Sequence, residues 1–255
     1  MSHILLVGEG QRQQRLLRFP ACAAPPSLFS GDREPSQQPI ATTTDLILGM
    51  QTDTWGFLQE AAGFAGDVRN QEDAKRVVES TVAHFGKLDI LVNAAAGNFL
   101  VSPEDLSPNV MDIDSVGTFT MCRESLKYLK KGGPGRTSDN GGLILNISAT
   151  LHYTASWYQI HVSAAKAAVD AITRNLALEW GTDYDIRVNG IAPGPISDTP
   201  GMRKLGPDEI NSTIRDVQPL FKLGGKWDIA VAALYLASDA GKYVNGTTLK
   251  RLITK

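Results

Sequence analysis

The spacing of hydrophobic positions along the chain becomes regular at about residue 63. From there on, short apolar runs alternate with segments in which apolar residues recur every three or four positions. The runs FAGDV, LDILVNA, LILNISA, IRVNGIA and VNGTTL predict strands, the first of them ending at Asp67. The intervening segments predict helices at residues 70–86, about 112–129, 157–181 and 226–238.

This alternation of strands and helices predicts an α/β domain with a doubly wound parallel sheet and helices on both faces. Ligands of such sheets bind just outside the carboxyl ends of the strands. The residues that follow the predicted strands are therefore the candidates for a site. They are Asp67, residues 93–97, Ser148 and residues 193–199.

The chain before residue 63 lacks this pattern. HILLVG predicts a strand and residues 54–63 predict a short helix, but the stretch between them, residues 18–44, is rich in Pro, Ser, Gln and Thr. Such a composition is typical of loops and disordered segments.

The composition excludes several classes of protein. Of 255 residues, 42% are hydrophobic and 20% are charged, and the net charge of -2 argues against a protein devoted to nucleic acid. No apolar run reaches the roughly 18 residues that a membrane span needs. The two cysteines, Cys22 and Cys122, have no CxxC spacing, so neither a disulfide framework nor a metal site is predicted.

Two loops after strands contain residues suited to a flat ligand. The small residues of NAAAG let a ring lie against the backbone, although a tight turn packed on a helix explains them equally well. The Pro-Gly-Pro loop at residues 193–195 is stiff and can form the wall beside a ring. The alternative for this loop is an ordinary strand exit.

Charged residues in apolar surroundings supply the second signal. Lys166 lies among alanines on a predicted helix, so its charge must reach water, an acid or a ligand. Asp112 and Asp114 lie in an otherwise apolar helix, and an inward-facing acid there would pair with Lys166. Both features are also explained by solvated surface residues. His152 and His161 are near no nucleophile motif, and we interpret them as structural or exposed.

The order and spacing of several motifs resemble the short-chain dehydrogenase/reductase family. These motifs are GDV, LDILVNAAAG, MDIDSVGTF, NISAT, HVSAAKAAVD, RVNGIAPGPI and YVNG. NAAAGNF, DIDSVGTF and APGPISDTPG narrow the resemblance to the branch that reduces 2,4-dienoyl-CoA.

The resemblance implies NADPH-dependent reduction of 2,4-dienoyl-CoA to 3-enoyl-CoA in the degradation of unsaturated fatty acids in peroxisomes. Most of the family protonates its substrate with a tyrosine four residues before the lysine, and Val162 stands there in this chain. The resemblance assigns catalysis to Asp114 and Lys166, which would hold and polarise a water molecule that acts as the acid.

Further roles follow from the resemblance by position. The residues expected to bind NADPH are Asp67, Val68, Asn93, Ala94, Ala95, Gly97, Lys166, Pro193, Gly194, Pro195, Ile196 and Thr199. Those expected to bind the acyl-CoA substrate are Arg69, Phe99, Ser107, Asn109 and Lys204, with Arg203 adding to a basic patch. A homo-oligomer, dimer or tetramer, is also expected.

The chain departs from the family's pattern in three places. VGEG near the start has two glycines where the family has TGxxxGxG, so we expect an irregular segment at residues 1–62 and a Rossmann-type domain at residues 63–255 whose first βαβ arm is missing or degraded. About four residues are missing before Asp114, which is expected to shift that side chain. The chain closes on KRLITK, without the family's Ser-Lys-Leu-like signal, which leaves a cytoplasmic location open.

These departures keep two other functions open. One is an inactive family variant that retains the oligomerisation surface, for which weak or absent NADPH binding is expected. The other is a reductase of another acyl thioester, such as a 3-oxoacyl group. Val162 in place of tyrosine argues against the second.

Overall fold

One mixed sheet organises the chain. The computed structural model describes residues 2–7, 14–19, 61–107, 111–197, 199, 202, 220 and 222–251. The seven strands are β1 (Ser2–Val7), β2 (Gln14–Phe19), β3 (Ala61–Phe64), β4 (Ile90–Asn93), β5 (Leu143–Ile147), β6 (Arg187–Pro193) and β7 (Thr248–Arg251).

The strand order is β3-β2-β1-β4-β5-β6-β7. Strands that follow β1 in sequence are added first on one side of it (β2, β3) and then on the other (β4 to β7). Strands β1, β4, β5, β6 and β7 pair in parallel, whereas β2 is antiparallel to both of its neighbours. The predicted doubly wound parallel sheet is therefore confirmed, with one reversed strand. The carboxyl ends of β1, β4, β5 and β6 meet along one edge.

The N-terminal part of the sheet is a hairpin. HILLVG forms β1 as predicted, and Leu5 pairs with Leu16 of β2 on one side and with Leu91 of β4 on the other. Only residues 8–13 separate β1 from β2, and a parallel crossover needs a dozen residues or more. The segment predicted to be irregular thus contributes two strands to the sheet. The expected domain boundary near residue 62 stays a prediction.

Within the described residues, four α-helices accompany the strands. They are α1 (Gln71–Phe85), α2 (Gly117–Leu129), α3 (Ile160–Tyr184) and α4 (Lys226–Ala237). A π-helical turn at Asp112–Val116 leads directly into α2, and short 3₁₀ turns occupy Pro103–Asp105, Thr150–His152 and Asp239–Gly241.

Several predicted boundaries were wrong. The strand predicted to end at Asp67 ends at Phe64, because Asp67 belongs to the turn before α1, where its carbonyl accepts a hydrogen bond from Asn70 N at 3.0 Å. Residues 61–63, predicted to end a helix, lie in β3, and the rest of that predicted helix is outside the described residues. The long helix begins at Ile160 rather than at residue 157, and the last strand begins at Thr248 rather than at residue 244.

Local sequence explains where α1 begins and ends. The Asn70 side chain accepts hydrogen bonds from the backbone N–H groups of Glu72 and Asp73, at 2.9 and 3.3 Å, and so caps the first turn. Gly86 follows the helix with a φ of 83°, a conformation that glycine adopts without steric cost. Capping of this kind typically contributes about 1 kcal/mol to stability.

The two faces of the sheet bury separate hydrophobic clusters. Leu5, Leu91 and Ile144 face a cluster that includes Val77 of α1, Met121 of α2 and Leu176 of α3. Their neighbours along the strands point the other way. On that second face Ile90, Leu145 and Ile191 pack against Ala232 and Leu236 of α4. Successive strand residues point to opposite faces, so both faces are covered as the alternating pattern predicts.

Helices in the described part of the chain fall short of the length and apolar character needed to cross a membrane.

We expect Leu5→Ala to destabilise the protein substantially, because Leu5 is fully buried between β2 and β4. Truncating a buried leucine typically costs about 2–5 kcal/mol. Urea unfolding of Leu5→Ala should show this loss in the free energy of unfolding, whereas Leu234→Ala, at a position that is 57% exposed, should change it by less than about 0.5 kcal/mol. Equal stability of the two variants would mean that β1 is not part of the folded sheet.

Candidate active site

The carboxyl edge of the parallel strands carries a buried charged pair. Asp114 lies in the π-helical turn before α2, and Lys166 lies in the second turn of α3. The Lys166 Nζ is 2.8 Å from Asp114 Oδ1, and the two residues are 5% and 1% exposed. Each charge therefore compensates the other in surroundings where an isolated charge would be strongly disfavoured.

Further hydrogen bonds hold the two side chains in place. The backbone N–H of Gly97, in the loop after β4, donates to Asp114 Oδ2 at 3.0 Å. Lys166 Nζ donates to the carbonyl of Ile147, the last residue of β5, at 2.8 Å. The pair is thus tied to the ends of two adjacent strands. The loop after β4 therefore positions Asp114, and the end of β5 positions Lys166.

Asp114 Oδ1 retains capacity to accept a hydrogen bond. This buried oxygen lies 2.8 Å from Lys166 Nζ, and a carboxylate oxygen can accept more than one hydrogen bond. An ammonium group has three N–H donors, and Lys166 uses one on Ile147. The pair therefore presents an acceptor and a donor together, an arrangement suited to holding a water molecule or a hydroxyl group.

A π-helical turn delivers Asp114 to this position. The turn spans Asp112–Val116, and the Thr118 hydroxyl donates to the Asp114 carbonyl at 2.6 Å. The residues missing before Asp114 were expected to shift its side chain, yet Asp114 still reaches Lys166. π-Helical turns widen a helix by one residue and often occur at functional sites. Here the wider turn points the carboxylate towards α3.

Asn93 has a structural task at the end of β4. Its amide nitrogen donates to Asn146 Oδ1 at 2.9 Å and contacts Cys122 Sγ at 3.3 Å, and Asn146 in turn donates to Thr173 at 2.9 Å. This buried network joins β4 and β5 to α2 and α3. Burial raises the pKa of the Cys122 thiol to about 12, so this cysteine stays protonated and is no nucleophile.

The small residues after Asn93 form a tightly packed loop at the carboxyl end of β4. Ala94 N donates to the carbonyl of Val7, the last residue of β1, at 2.7 Å. Ala95 packs against the core beneath, and Gly97 leaves little room above, because a Cβ there would lie 3.2 Å from the Ile113 side chain. The loop thus forms the tight turn that the sequence left open, and its use as a ligand surface stays a prediction.

Asp67 and Val68 follow β3, the strand at the edge of the sheet. Arg69 donates hydrogen bonds to both carboxylate oxygens of Asp67, and these bonds hold the pKa of Asp67 below its usual value. Val68 is buried against Gly117, where an added Cβ would lie 2.5 Å from the valine side chain. The close approach of the Val68 side chain to the backbone of residue 117 therefore favours glycine there.

The loop after β6 is held by hydrogen bonds to the segment before α4. Ile196 forms an isolated bridge with Gly224, and Ser197 N donates to the Gly224 carbonyl at 2.9 Å. The Thr199 hydroxyl donates to the Ile196 carbonyl at 3.0 Å. Pro193, Gly194 and Pro195 are half-buried along this loop, as a wall beside a ligand would be.

Three of the five predicted substrate residues are among the described residues. Phe99 lies next to the buried pair, in the loop that carries Gly97, and stacks on His161 with 4.4 Å between ring centroids. Ser107 is exposed, and Arg69 is engaged by Asp67. Asn109 and Lys204, like Arg203, lie outside the described residues.

Sequence reasoning missed two polar residues at this site. His161, interpreted as structural or exposed, is buried beside Phe99, and neither of its ring nitrogens has a partner among the described residues. Asn98 donates to Gln159 at 3.1 Å, but its carbonyl oxygen is buried without a partner. No periodicity or motif marks either residue, because their burial depends on how the loop after β4 lies against α3.

These open polar atoms bear on the nicotinamide cofactor that the resemblance implies. Lys166 retains an N–H donor beyond its contacts with Ile147 and Asp114, and Asn98 and His161 carry buried polar atoms without partners among the described residues. The residues at this end of the site fit the reactive half of such a cofactor. At the diphosphate end the connection from β1 leads into the antiparallel β2, so the helix N-terminus that binds phosphate in βαβ units does not follow β1 directly.

Comparison with known proteins gives consistent family relationships. The family described as enoyl-(acyl carrier protein) reductase matches residues 53–250. The peroxisomal 2,4-dienoyl-CoA reductase [(3E)-enoyl-CoA-producing] of Arabidopsis thaliana is 73% identical over 195 residues, which are 74% of this chain and 65% of the relative. The chain thus spans just under two thirds of that relative's length. A probable 2,4-dienoyl-CoA reductase of Bacillus subtilis is 40% identical over 196 residues, 74% of each chain.

Solved structures show the same relationship. A short chain dehydrogenase from Bacillus anthracis has a TM-score of 0.61 and 40% identity, covering 72% of this chain and 71% of the other. The 3-ketoacyl-(acyl-carrier-protein) reductase from Brucella melitensis, complexed with NADH, has a TM-score of 0.65 and 26% identity, covering 74% and 75% of the two chains. Together with the family match, these relationships show that the chain belongs to the short-chain dehydrogenase/reductase family, in the group described as enoyl-(acyl carrier protein) reductases.

Proposed function

We propose that this protein reduces 2,4-dienoyl-CoA to 3-enoyl-CoA with NADPH, as a step in degrading unsaturated fatty acids in peroxisomes. The observation that carries the proposal is the buried pair of Asp114 and Lys166, 2.8 Å apart, with one carboxylate oxygen open to a hydrogen bond. The Arabidopsis relative is named as a (3E)-enoyl-CoA-producing 2,4-dienoyl-CoA reductase and the Bacillus subtilis relative as a (2E)-enoyl-CoA-producing one. Both names support the substrate class, and the first supports the 3-enoyl product.

The reaction adds two hydrogens to the ends of a conjugated diene. The nicotinamide cofactor, when bound, supplies a hydride to the far carbon of the diene. Negative charge then accumulates on the thioester oxygen as a dienolate, the remaining double bond moves to the middle of the former diene, and a proton is added at the α-carbon. The protein must therefore stabilise an oxyanion and deliver one proton to carbon.

Asp114 and Lys166 perform the proton delivery in this proposal. A water molecule donates a hydrogen bond to Asp114 Oδ1 and accepts one from Lys166, which orients and polarises it. As the water gives its proton to the α-carbon, the Lys166 ammonium stabilises the hydroxide that remains. Solvent then reprotonates the hydroxide. Because the two charges are buried, their field acts on the water with little screening.

The other predicted site residues surround this centre in the proposal. Asp67 and Val68 contact the adenine edge, residues 93–97 pass beneath the adenosine, and residues 193–199 hold the nicotinamide. Phe99 borders the acyl chain. The CoA portion is contacted by Arg69, Ser107, Asn109 and Lys204. Arg69 can make this contact only if its guanidinium binds Asp67 and CoA together or breaks its ion pair with Asp67.

A reductase of 3-oxoacyl thioesters is disfavoured by Val162. Ketone reduction places the new negative charge on an oxygen that must itself be protonated, which is the task of the family's tyrosine. Val162 has no hydroxyl and is buried in α3. Protonation of carbon by a bound water needs no such tyrosine.

The variant Asp114→Ala is expected to lower turnover of a 2,4-dienoyl-CoA by about 10²- to 10⁴-fold, the range of a lost general-acid arrangement. Its affinity for NADPH should be unchanged, because Asp114 acts on the water rather than on the cofactor. The measurement is kcat at millimolar NADPH, together with a fluorescence titration of NADPH. A 3-oxoacyl-CoA serves as the comparison substrate and should not be turned over by either protein.

Asp112→Ala is the matched control, since it removes a carboxylate from the same π-helical turn, where Asp112 is only half-buried. It should retain near wild-type turnover. Full activity of Asp114→Ala would refute the proposed role of the pair.

A second candidate function is supported by the hairpin at the N-terminus. Because β1 leads into an antiparallel strand, the backbone donors that meet the diphosphate in the family's first βαβ arm are not supplied in the usual way. The chain could then act as an inactive variant that associates with copies of itself. Exposed apolar side chains on and beside α2 and α3, including Val116, Phe119, Ile160 and Leu178, support such a homo-oligomer.

We expect the purified chain to bind NADPH weakly. Loss of two charge-assisted hydrogen bonds to the diphosphate, at about 1.5 kcal/mol each, weakens the affinity roughly 150-fold. Titration of NADPH fluorescence, with the molar mass followed by light scattering, measures both properties. A Kd in the micromolar range would contradict this expectation and exclude the inactive variant, whereas an oligomer with no binding at millimolar NADPH would establish it.

A further inference from the structure

Buried polar atoms without partners are concentrated beside the catalytic pair. Among the described residues, seven buried side-chain nitrogen and oxygen atoms lack a hydrogen bond. One of them, Asp114 Oδ1, has its ion pair with Lys166, and three others belong to Asn98 and His161. Each such atom typically costs about 1–3 kcal/mol if nothing satisfies it. Their concentration at one place indicates that a bound molecule supplies the missing bonds.

His161 is the most unusual member of this group. It is the second residue of α3, is 1% exposed, and has both ring nitrogens unpartnered. Its ring stacks on Phe99 with the centroids 4.4 Å apart and an angle of 26° between the planes. Phe99 is itself 39% exposed, so the aromatic ring that stacks on the imidazole borders solvent.

The backbone around His161 is held in a costly conformation. Tyr158, just before α3, has a φ of 60°, in the left-handed region that costs a bulky residue roughly 1–2 kcal/mol. Val101 N donates to the Tyr158 carbonyl at 3.2 Å, and Asn98 donates to Gln159 at 3.1 Å. These bonds fasten the loop after β4 to the start of α3. They fix the imidazole relative to the loop that also carries Gly97, the partner of Asp114.

The charge state of His161 follows from its surroundings. Burial lowers the pKa of His161, and the nearby Asp114 carboxylate opposes this shift without overcoming it. The imidazole is therefore neutral at pH 7. A neutral imidazole has one N–H donor and one acceptor nitrogen. It can hydrogen-bond an oxygen that becomes negative without adding a positive charge next to Lys166.

We propose that His161 is a catalytic residue whose ring N–H donates a hydrogen bond to the thioester oxygen as the dienolate forms. This inference rests on the proposed function, because it names the group that stabilises the oxyanion of that reaction. The bond replaces what a tyrosine hydroxyl would offer, since Val162 carries no donor. His161 keeps its proton throughout, and the proton added to the α-carbon comes from the water held by Asp114 and Lys166.

The test compares His161→Phe with His161→Gln. Phenylalanine preserves the stack with Phe99 but has no N–H, whereas glutamine retains an amide N–H donor. We expect kcat for a dienoyl-CoA to fall about 10²-fold in His161→Phe, the usual effect of losing one oxyanion donor, and to recover in part in His161→Gln. KM and NADPH affinity should change little. The melting temperature of His161→Phe should not fall, because two unsatisfied buried atoms are removed.

A second readout needs neither cofactor nor turnover. The ultraviolet absorption of a dienoyl thioester moves to longer wavelength when its carbonyl is polarised by a hydrogen bond. Dienoyl-CoA bound to the wild-type protein should show this shift. His161→Phe should bind the thioester with the shift much reduced, and His161→Gln should restore part of it.

The outcomes separate the two proposals. Wild-type kcat and an unchanged spectral shift in His161→Phe would overturn the role of His161 and leave the reductase function standing. A lower melting temperature in both variants with the shift preserved would also overturn it, since that result identifies a structural histidine. A wild-type protein that neither binds dienoyl-CoA nor shifts its absorption would overturn the inference and the proposed function together.

Discussion

A buried ion pair at the edge of a parallel sheet is the constraint around which this site is organised. Asp114 and Lys166 would each be strongly disfavoured alone, and removing one partner of a buried pair typically destabilises a protein by about 3–5 kcal/mol. Their contact holds the π-helical turn against α3, and the Gly97 and Ile147 hydrogen bonds hold both against the strand ends. The same charges that stabilise this packing provide the field for the proposed proton transfer.

The two ends of the sheet edge differ in how well they match the family. Near the ends of β4 and β5, Lys166 contacts Asp114, the Ile147 carbonyl and Ser148. On the diphosphate side, β1 occupies a central position next to β4 but leads into an antiparallel strand. The departure from the family's pattern thus lies on the β1 side, whereas the contact of Asp114 with Lys166 is made by α3 and the turn before α2.

Much of the architecture was predictable from the sequence because it depends on local patterns. The buried strands β4, β5 and β6 follow from continuous apolar runs, and α1 follows from the Asn70 cap, the spacing of its valines and Gly86. The meeting of Asp114 and Lys166 followed from the chemistry of an acid and a base in apolar helices. The end of the strand at Phe64 was missed, because FAGDV reads as one apolar run whereas Asp67 is drawn into the turn before α1. The antiparallel β2 was missed because its pairing with β1 depends on sheet register rather than on composition.

His161 shows a different limit. Its burial comes from a loop of the preceding strand folding over the start of α3, and no spacing within the helix reports such a contact. Nor did the sequence suggest that Arg69 would bind Asp67 instead of remaining free for a phosphate. Side chains whose partners come from distant segments are the ones that sequence patterns describe least well.

The account's central claim is that Asp114 and Lys166 act as one unit, and a double-mutant cycle tests it most directly. The measurement is kcat for a dienoyl-CoA at saturating NADPH in Asp114→Asn, Lys166→Met and the double variant. The account predicts that the double variant is no slower than the slower single variant, because either substitution already abolishes the arrangement that holds the water. Losses that multiply in the double variant would show that the two residues act independently and would contradict it.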